Sequence, residues 1–130
     1  GVPLIHIADA TADAVKAAGC SRPLLLATRF TMEKPFYRDR LSAQGVEAMA
    51  PDEADRIRLH AIIYDELCQG VITAASKDEV LAMIAKASAA DCVIFGCTEV
   101  GLLLSPGDLA LPVIDTALVH AQAGVDFALS

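Results

Sequence analysis

Three short apolar runs, each too brief for a helix and set apart by helix-length sequence, limit what this chain can fold into. They are Pro23-Leu24-Leu25-Leu26-Ala27-Thr28, Cys92-Val93-Ile94-Phe95 and Leu111-Pro112-Val113-Ile114. Apolar runs of this length, bounded by turn residues, read as strands buried on both faces. Val46 to Met49 is a briefer strand candidate. Asp9 or Thr11 can cap a helix running to about Ala18, with Gly19 as its stop. Pro35 to Gln44 reads as a helix closed by Gly45. Pro51 and Asp52 open a longer one to about Cys68, with Ile57, Ala61 and Tyr64 on one stripe and Gly70 after it. Ser76-Lys77-Asp78-Glu79 has the form of a capping box, opening a helix to about Ala89. Asp115 caps a last helix to about Leu129. Strands alternating with helices predict βαβ units and a mainly parallel sheet. The expected fold is α/β: one Rossmann-like, three-layer α/β/α domain over residues 1–130.

Composition narrows the function classes. Hydrophobic residues make up 55% of the chain, yet no run nears the roughly 18 residues of a membrane span. Such apolarity suits doubly covered strands and a chain that packs against something else. The formal net charge of −7 disfavours nucleic acid and anionic membranes, which attract basic surfaces. The start lacks the basic region of a signal peptide. The four cysteines, Cys20, Cys68, Cys92 and Cys97, show no metal-ligand spacing. Neither a metal nor another cofactor is expected, and the thiols read as reduced and cytoplasmic.

Right-handed crossovers would bring the carboxyl ends of Pro23–Thr28 and Cys92–Phe95 to one sheet edge. Ligands in open α/β sheets sit at that edge. The loops Thr28–Met32 and Gly96–Glu99 would then face one cleft. Cys97 follows a glycine at a strand end, a setting that can lower a thiol pKa and let backbone amides approach a ligand. Thr98 offers a hydroxyl and an amide to a carboxylate, and Glu99 can accept a proton or an ammonium hydrogen bond. Arg29 could clamp a carboxylate in bidentate fashion, and Thr28 and Thr31 could bind one. Plainer readings stand beside these: a structural cysteine, a solvated arginine, threonines that merely close a turn. Cys92 lies five residues before Cys97, about 16 Å away at ~3.3 Å per residue, and reads as core. Cys20 and Cys68 read as structural or incidental. His60 reads as a surface position on its helix, while His120 sits one turn into the last helix, where it can approach the cleft.

Phe95-Gly96-Cys97-Thr98-Glu99 resembles the second cysteine motif of the aspartate/glutamate/hydantoin racemase superfamily. Ala27-Thr28-Arg29-Phe30-Thr31-Met32 resembles the mid-chain loop of its aspartate racemase branch. Phe36-Tyr37-Arg38, Asp65-Glu66-Leu67 and Pro112-Val113-Ile114-Asp115-Thr116 follow in the same order, so the resemblance spans almost the whole chain. It implies one of two pseudo-symmetric α/β domains with the active site between them and one cysteine from each. It implies cofactor-independent racemisation, a thiolate removing the α-proton while the opposite thiol delivers one. Cys97 would be one of those thiols. Thr28, Thr31 and Thr98 would hold the substrate carboxylate, and Glu99 would tune the site.

Two departures qualify the resemblance. The family's first cysteine motif has no match here, so the chain is expected to be a C-terminal half whose partner is a missing N-terminal domain. In aspartate-selective relatives the Glu66-Leu67-Cys68 position resembles Glu-Leu-Lys, the lysine meeting the distal carboxylate. Cys68 therefore leaves a broader amino-acid range open. Within the same superfamily, malonate decarboxylation or maleate isomerisation by a single cysteine is an alternative. Outside it, the alternative is a non-catalytic half-domain binding a small carboxylate. The sequence leaves a homodimer open.

Overall fold

The computed structural model describes residues 4–33, 35–96 and 99–116. Its centre is a parallel sheet of three strands: β1 (Pro23–Leu26), β2 (Cys92–Phe95) and β3 (Val113–Asp115), in the order β1-β2-β3. Every residue of β1 and β2 is buried. The continuous apolar runs arise for that reason: a strand covered on both faces has no polar side to present. Pro23 pairs with Cys92 and Leu26 with Phe95, while Val93 pairs with Val113 and Phe95 with Asp115. The parallel α/β fold read from the sequence is the one observed.

The expected strand at Val46–Met49 shrinks to a single parallel bridge between Met49 and Leu24. The Val46 amide instead closes the preceding helix through the Leu41 carbonyl, and Pro51 has no amide to extend the ladder.

Helix α1 (Leu4–Ala17) begins upstream of both predicted caps. Asp9 and Thr11 lie inside it and face α3 (Pro35–Ala43). Arg40 grips Asp9 through Nε at 2.8 Å and a second guanidinium nitrogen at 3.0 Å. The buried Tyr37 hydroxyl donates to Thr11 Oγ1 at 3.2 Å. These side chains serve helix–helix packing rather than a helix start. Between the first strand and α3 runs α2 (Arg29–Glu33), a short helix where a loop was expected.

Helix α4 (Glu53–Ala61) is capped by Asp52, which accepts the Asp55 amide at 2.9 Å. That bond, then Lys86, holds the Asp52 carboxyl below its ordinary range. The predicted single helix to Cys68 is wound in three ways. After Ala61 comes a π-helical turn (Ile62–Glu66), then a 3-10 turn (Leu67–Gln69), and Gly70 ends it at φ +77°. Helix α5 (Ala74–Lys86) is capped by Thr73, three residues before the expected cap at Ser76. Ser76 is buried and gives its hydroxyl to Glu66 at 2.5 Å, tying the π turn to α5. Its hydroxyl is thus committed across the fold and does not serve the helix end.

The core joins Leu24, Leu25 and Leu26 to Val93, Ile94 and Phe95, with Leu41, Leu59, Ile62, Ile63 and Val15 around them. Cys92 belongs to it, as read from the sequence; burial first, then the neighbouring Cys20, pushes its thiol up to about 12. A short helix, α6 (Val100–Leu103), follows Glu99. The expected last helix and His120 lie outside the described residues. No described helix is long and apolar enough to cross a membrane.

Candidate functional site

Parallel register decides what the carboxyl edge of the sheet presents. With Leu26 opposite Phe95, the chain leaves β1 and β2 side by side. The Gly96 amide donates to the Leu26 carbonyl at 2.8 Å, extending the ladder one residue past β2. Only glycine fits there without adjustment. A Cβ on residue 96 would lie 2.9 Å from the Ala27 Cβ and 3.0 Å from Leu25 Cδ1. The two segments singled out from the sequence, Thr28–Met32 and Gly96–Glu99, therefore emerge from adjacent strand ends.

Thr28 is half-buried, and its carbonyl accepts the Met32 amide at 3.0 Å, so it opens α2. Arg29 and Thr31 lie on α2 itself. The Arg29 guanidinium is directed at Glu33, Nε to Oε2 at 2.9 Å, and Arg56 reaches the same oxygen at 3.3 Å. This pairing, with Arg29 first, lowers the Glu33 pKa. A ligand carboxylate at Arg29 would have to compete with Glu33. Glu99 is half-buried and stands immediately before α6, its carbonyl accepting the Leu102 amide at 3.0 Å. Cys97 and Thr98 lie outside the described residues. Helix α6 packs against the 3-10 turn that carries the exposed Cys68, so that segment borders the same edge.

Three neighbouring side chains escaped the sequence reading as site components. Thr116 follows β3 and donates its hydroxyl to the Phe95 carbonyl at 2.8 Å, locking the end of the central strand. One Asp115 oxygen lies 3.5 Å from where a Cβ on Gly101 would stand, which puts this carboxylate beside α6. His60 accepts the Arg29 amide on Nδ1 at 3.0 Å, and its ring packs on Tyr64 with centroids 4.6 Å apart. His60 thus orients α2 from the end of α4. Tyr64 lies in the π turn, a backbone irregularity that recurs at functional sites. Only the Asp115-Thr116 pair at the end of the last strand hinted at any of this; a contact between His60 and Arg29 has no local signature.

Chemically, this edge and its borders offer hydroxyls, backbone amides at a helix start, an imidazole and carboxylates. Such a set can bind and orient a small amino-acid or carboxylate ligand.

The Asp/Glu/Hydantoin racemase family model matches residues 1–124. An uncharacterised protein encoded in the pnlA 3′ region of Pectobacterium carotovorum subsp. carotovorum is 32% identical over 106 residues, covering 78% of this chain and 67% of the relative. A crystal structure of a Yersinia pestis protein named for Asp/Glu racemase superposes with TM-score 0.89 at 46% identity, covering 95% of this chain and 55% of that one. An aspartate racemase homologue from Pyrococcus horikoshii OT3 gives TM-score 0.88 at 31% identity, with the same coverage. An aspartate racemase from Picrophilus torridus gives TM-score 0.67 at 24% identity, a likeness of fold. The chain spans about half the length of these solved structures.

Proposed function

This chain belongs to the Asp/Glu/Hydantoin racemase family, and from that premise we propose that it is the C-terminal half of a racemase for an aspartate-like amino acid. The observation that carries the reading is the strand edge. The Gly96 amide on the Leu26 carbonyl joins the segment before Cys97 to the segment that opens at Thr28. A coverage of 55% of the solved relatives supports one of two domains, and the first cysteine motif that this sequence does not match makes the other one N-terminal in this reading.

In this reading the Cys97 thiolate takes the α-proton, and a thiol of the N-terminal half delivers a proton to the opposite face of the carbanion. The two sulfurs end the turnover with their protonation states exchanged, and no cofactor takes part. Thr28, Thr31 and Thr98 hold the α-carboxylate through hydroxyls and amides. Glu99 orients the site. Arg29, paired with Glu33, meets the substrate only when that pair opens. Cys68, exposed and without a lysine's ammonium, gives no fixed positive charge to a distal carboxylate, which favours a range of amino acids over aspartate alone.

The test is α-proton exchange by the intact protein in deuterium oxide, with D- and L-aspartate among a panel of amino acids. Deuterium at the α-carbon, abolished by Cys97→Ala, is the expected result. Full exchange in the variant would remove Cys97 from the mechanism, and release of carbon dioxide from a malonate with inert amino acids would replace racemisation by decarboxylation.

A further inference from the structure

The opposite edge of the sheet holds a second cluster, and it owes nothing to the carboxyl-edge site. Cys20, in the turn after α1, and Cys92, the first residue of β2, converge on Asp91. The two sulfurs and a carboxylate oxygen all lie within 4.8 Å of one another. The pieces come from distant sequence: Cys20 Sγ sits 3.4 Å from the Asp91 carbonyl oxygen, 71 residues away. The sequence shows Cys92 and Cys97 as the nearest cysteine pair, and no spacing rule joins Cys20 to Cys92.

We propose that Cys20, Asp91 and Cys92 form a binding site for a thiophilic divalent cation of the zinc class. The corners of a triangle with no side above 4.8 Å lie within about 2.8 Å of a common point. Zinc–sulfur and zinc–oxygen bonds are about 2.3 Å and 2.0–2.2 Å, so the ligands close by about half an ångström or a little more. The ion displaces the thiol protons on binding, including the one that burial holds on Cys92, and two thiolates and a carboxylate are then donors such an ion prefers, with water in the fourth position. The carboxylate is already oriented. Oδ2 accepts the Ser21 amide and Oδ1 the Arg22 amide, each at 2.8 Å. Cys20 is only half-buried and gives the ion access, while Cys92 is fully buried and anchors it. The bound ion clamps the turn before β1 to the first residue of β2, at the amino ends of the strands. With three protein donors and a water the coordination is open, and the role assigned to the ion is this clamp.

Cobalt(II) is the probe, titrated into the intact, reduced protein carrying Cys68→Ser and Cys97→Ser to remove the other thiols of this chain. The expected result is a near-ultraviolet sulfur-to-cobalt band that saturates at one ion per chain. Zinc displaces it and raises the melting temperature. Cys20→Ser, the less buried change, and Asp91→Asn each weaken cobalt binding at least tenfold while circular dichroism stays native, and Cys20→Ser also lowers the band at saturation; Cys92→Ala abolishes saturable binding. An unchanged band in folded Cys20→Ser overturns the site, as does no band in the reduced protein. A chain about 2 Da lighter that takes up no cobalt overturns it in favour of a disulfide. Loss of racemase activity in Cys97→Ser has no bearing on any of these outcomes.

Discussion

Gly96 and Ala27 approach so closely that a methyl group on Gly96 would stand 2.9 Å from the Ala27 Cβ. The Ala27 Cβ hangs directly on the backbone and cannot swing aside. Gly96→Ala therefore has to separate the ends of β1 and β2. Overpacking of this kind costs about 1–3 kcal/mol. The expected outcome is a lower denaturation midpoint and a fall in α-proton exchange larger than the stability loss explains, because the residue before Cys97 moves. Wild-type exchange in a destabilised but folded variant would show that the spacing of the two segments does not matter.

Thr116 holds the same edge from the other side, through its 2.8 Å bond to the Phe95 carbonyl. Thr116→Val keeps the shape and loses the donor. A stability loss of about 1 kcal/mol is expected for one such bond. As a positioning residue, Thr116 should affect turnover more than substrate affinity, and Thr116→Ser, which restores the hydroxyl, should recover most of it. Chemical denaturation and the split between kcat and KM read the two effects separately.

His60 meets the Arg29 amide through Nδ1 at 3.0 Å, at the start of α2. His60→Ala removes an acceptor from a partly solvated amide, so global stability should fall by no more than about 1 kcal/mol. Substrate binding should weaken more, because α2 carries Arg29 and Thr31. His60→Asn places an amide oxygen near the lost nitrogen and should restore the KM. Equal KM values for wild type and His60→Ala would show that α2 needs no such support.

The sheet was legible because β1 and β2 are covered on both faces, so burial wrote itself into the sequence as unbroken apolar runs. The edge that Thr28, Arg29 and Glu99 share followed from parallel topology alone. Helix starts were less legible. Asp9 and Ser76 look like caps, but each spends its polar atom across the fold, on Arg40 and on Glu66. The π turn over Ile62–Glu66 keeps a helical apolar stripe and so hides inside an ordinary helix pattern. Contacts made at long range, such as Cys20 with Asp91 or His60 with Arg29, leave no local trace, because nothing in either segment needs the other until the chain folds.

Tyr37 gives the fold an alkaline limit. Its ring packs between α1 and α3, and burial, opposed by the hydrogen bond to Thr11, raises its pKa above the ordinary 10.0. The folded chain therefore holds the phenolic proton where the unfolded chain has begun to release it. Between the unfolded and folded values the unfolded state binds fewer protons, so stability falls as pH rises. The contribution is complete below about pH 10 and is lost through the folded value above it. Tyr37→Phe removes this titration. At pH 7 the variant should be less stable by about 1 kcal/mol for the lost hydrogen bond. Above pH 10 the gap to wild type should narrow, because only wild type carries the Tyr37 loss. Denaturation midpoints of both proteins from pH 7 to pH 11 measure it, and parallel curves would show that the Tyr37 proton is held no more tightly in the folded chain than in the unfolded one.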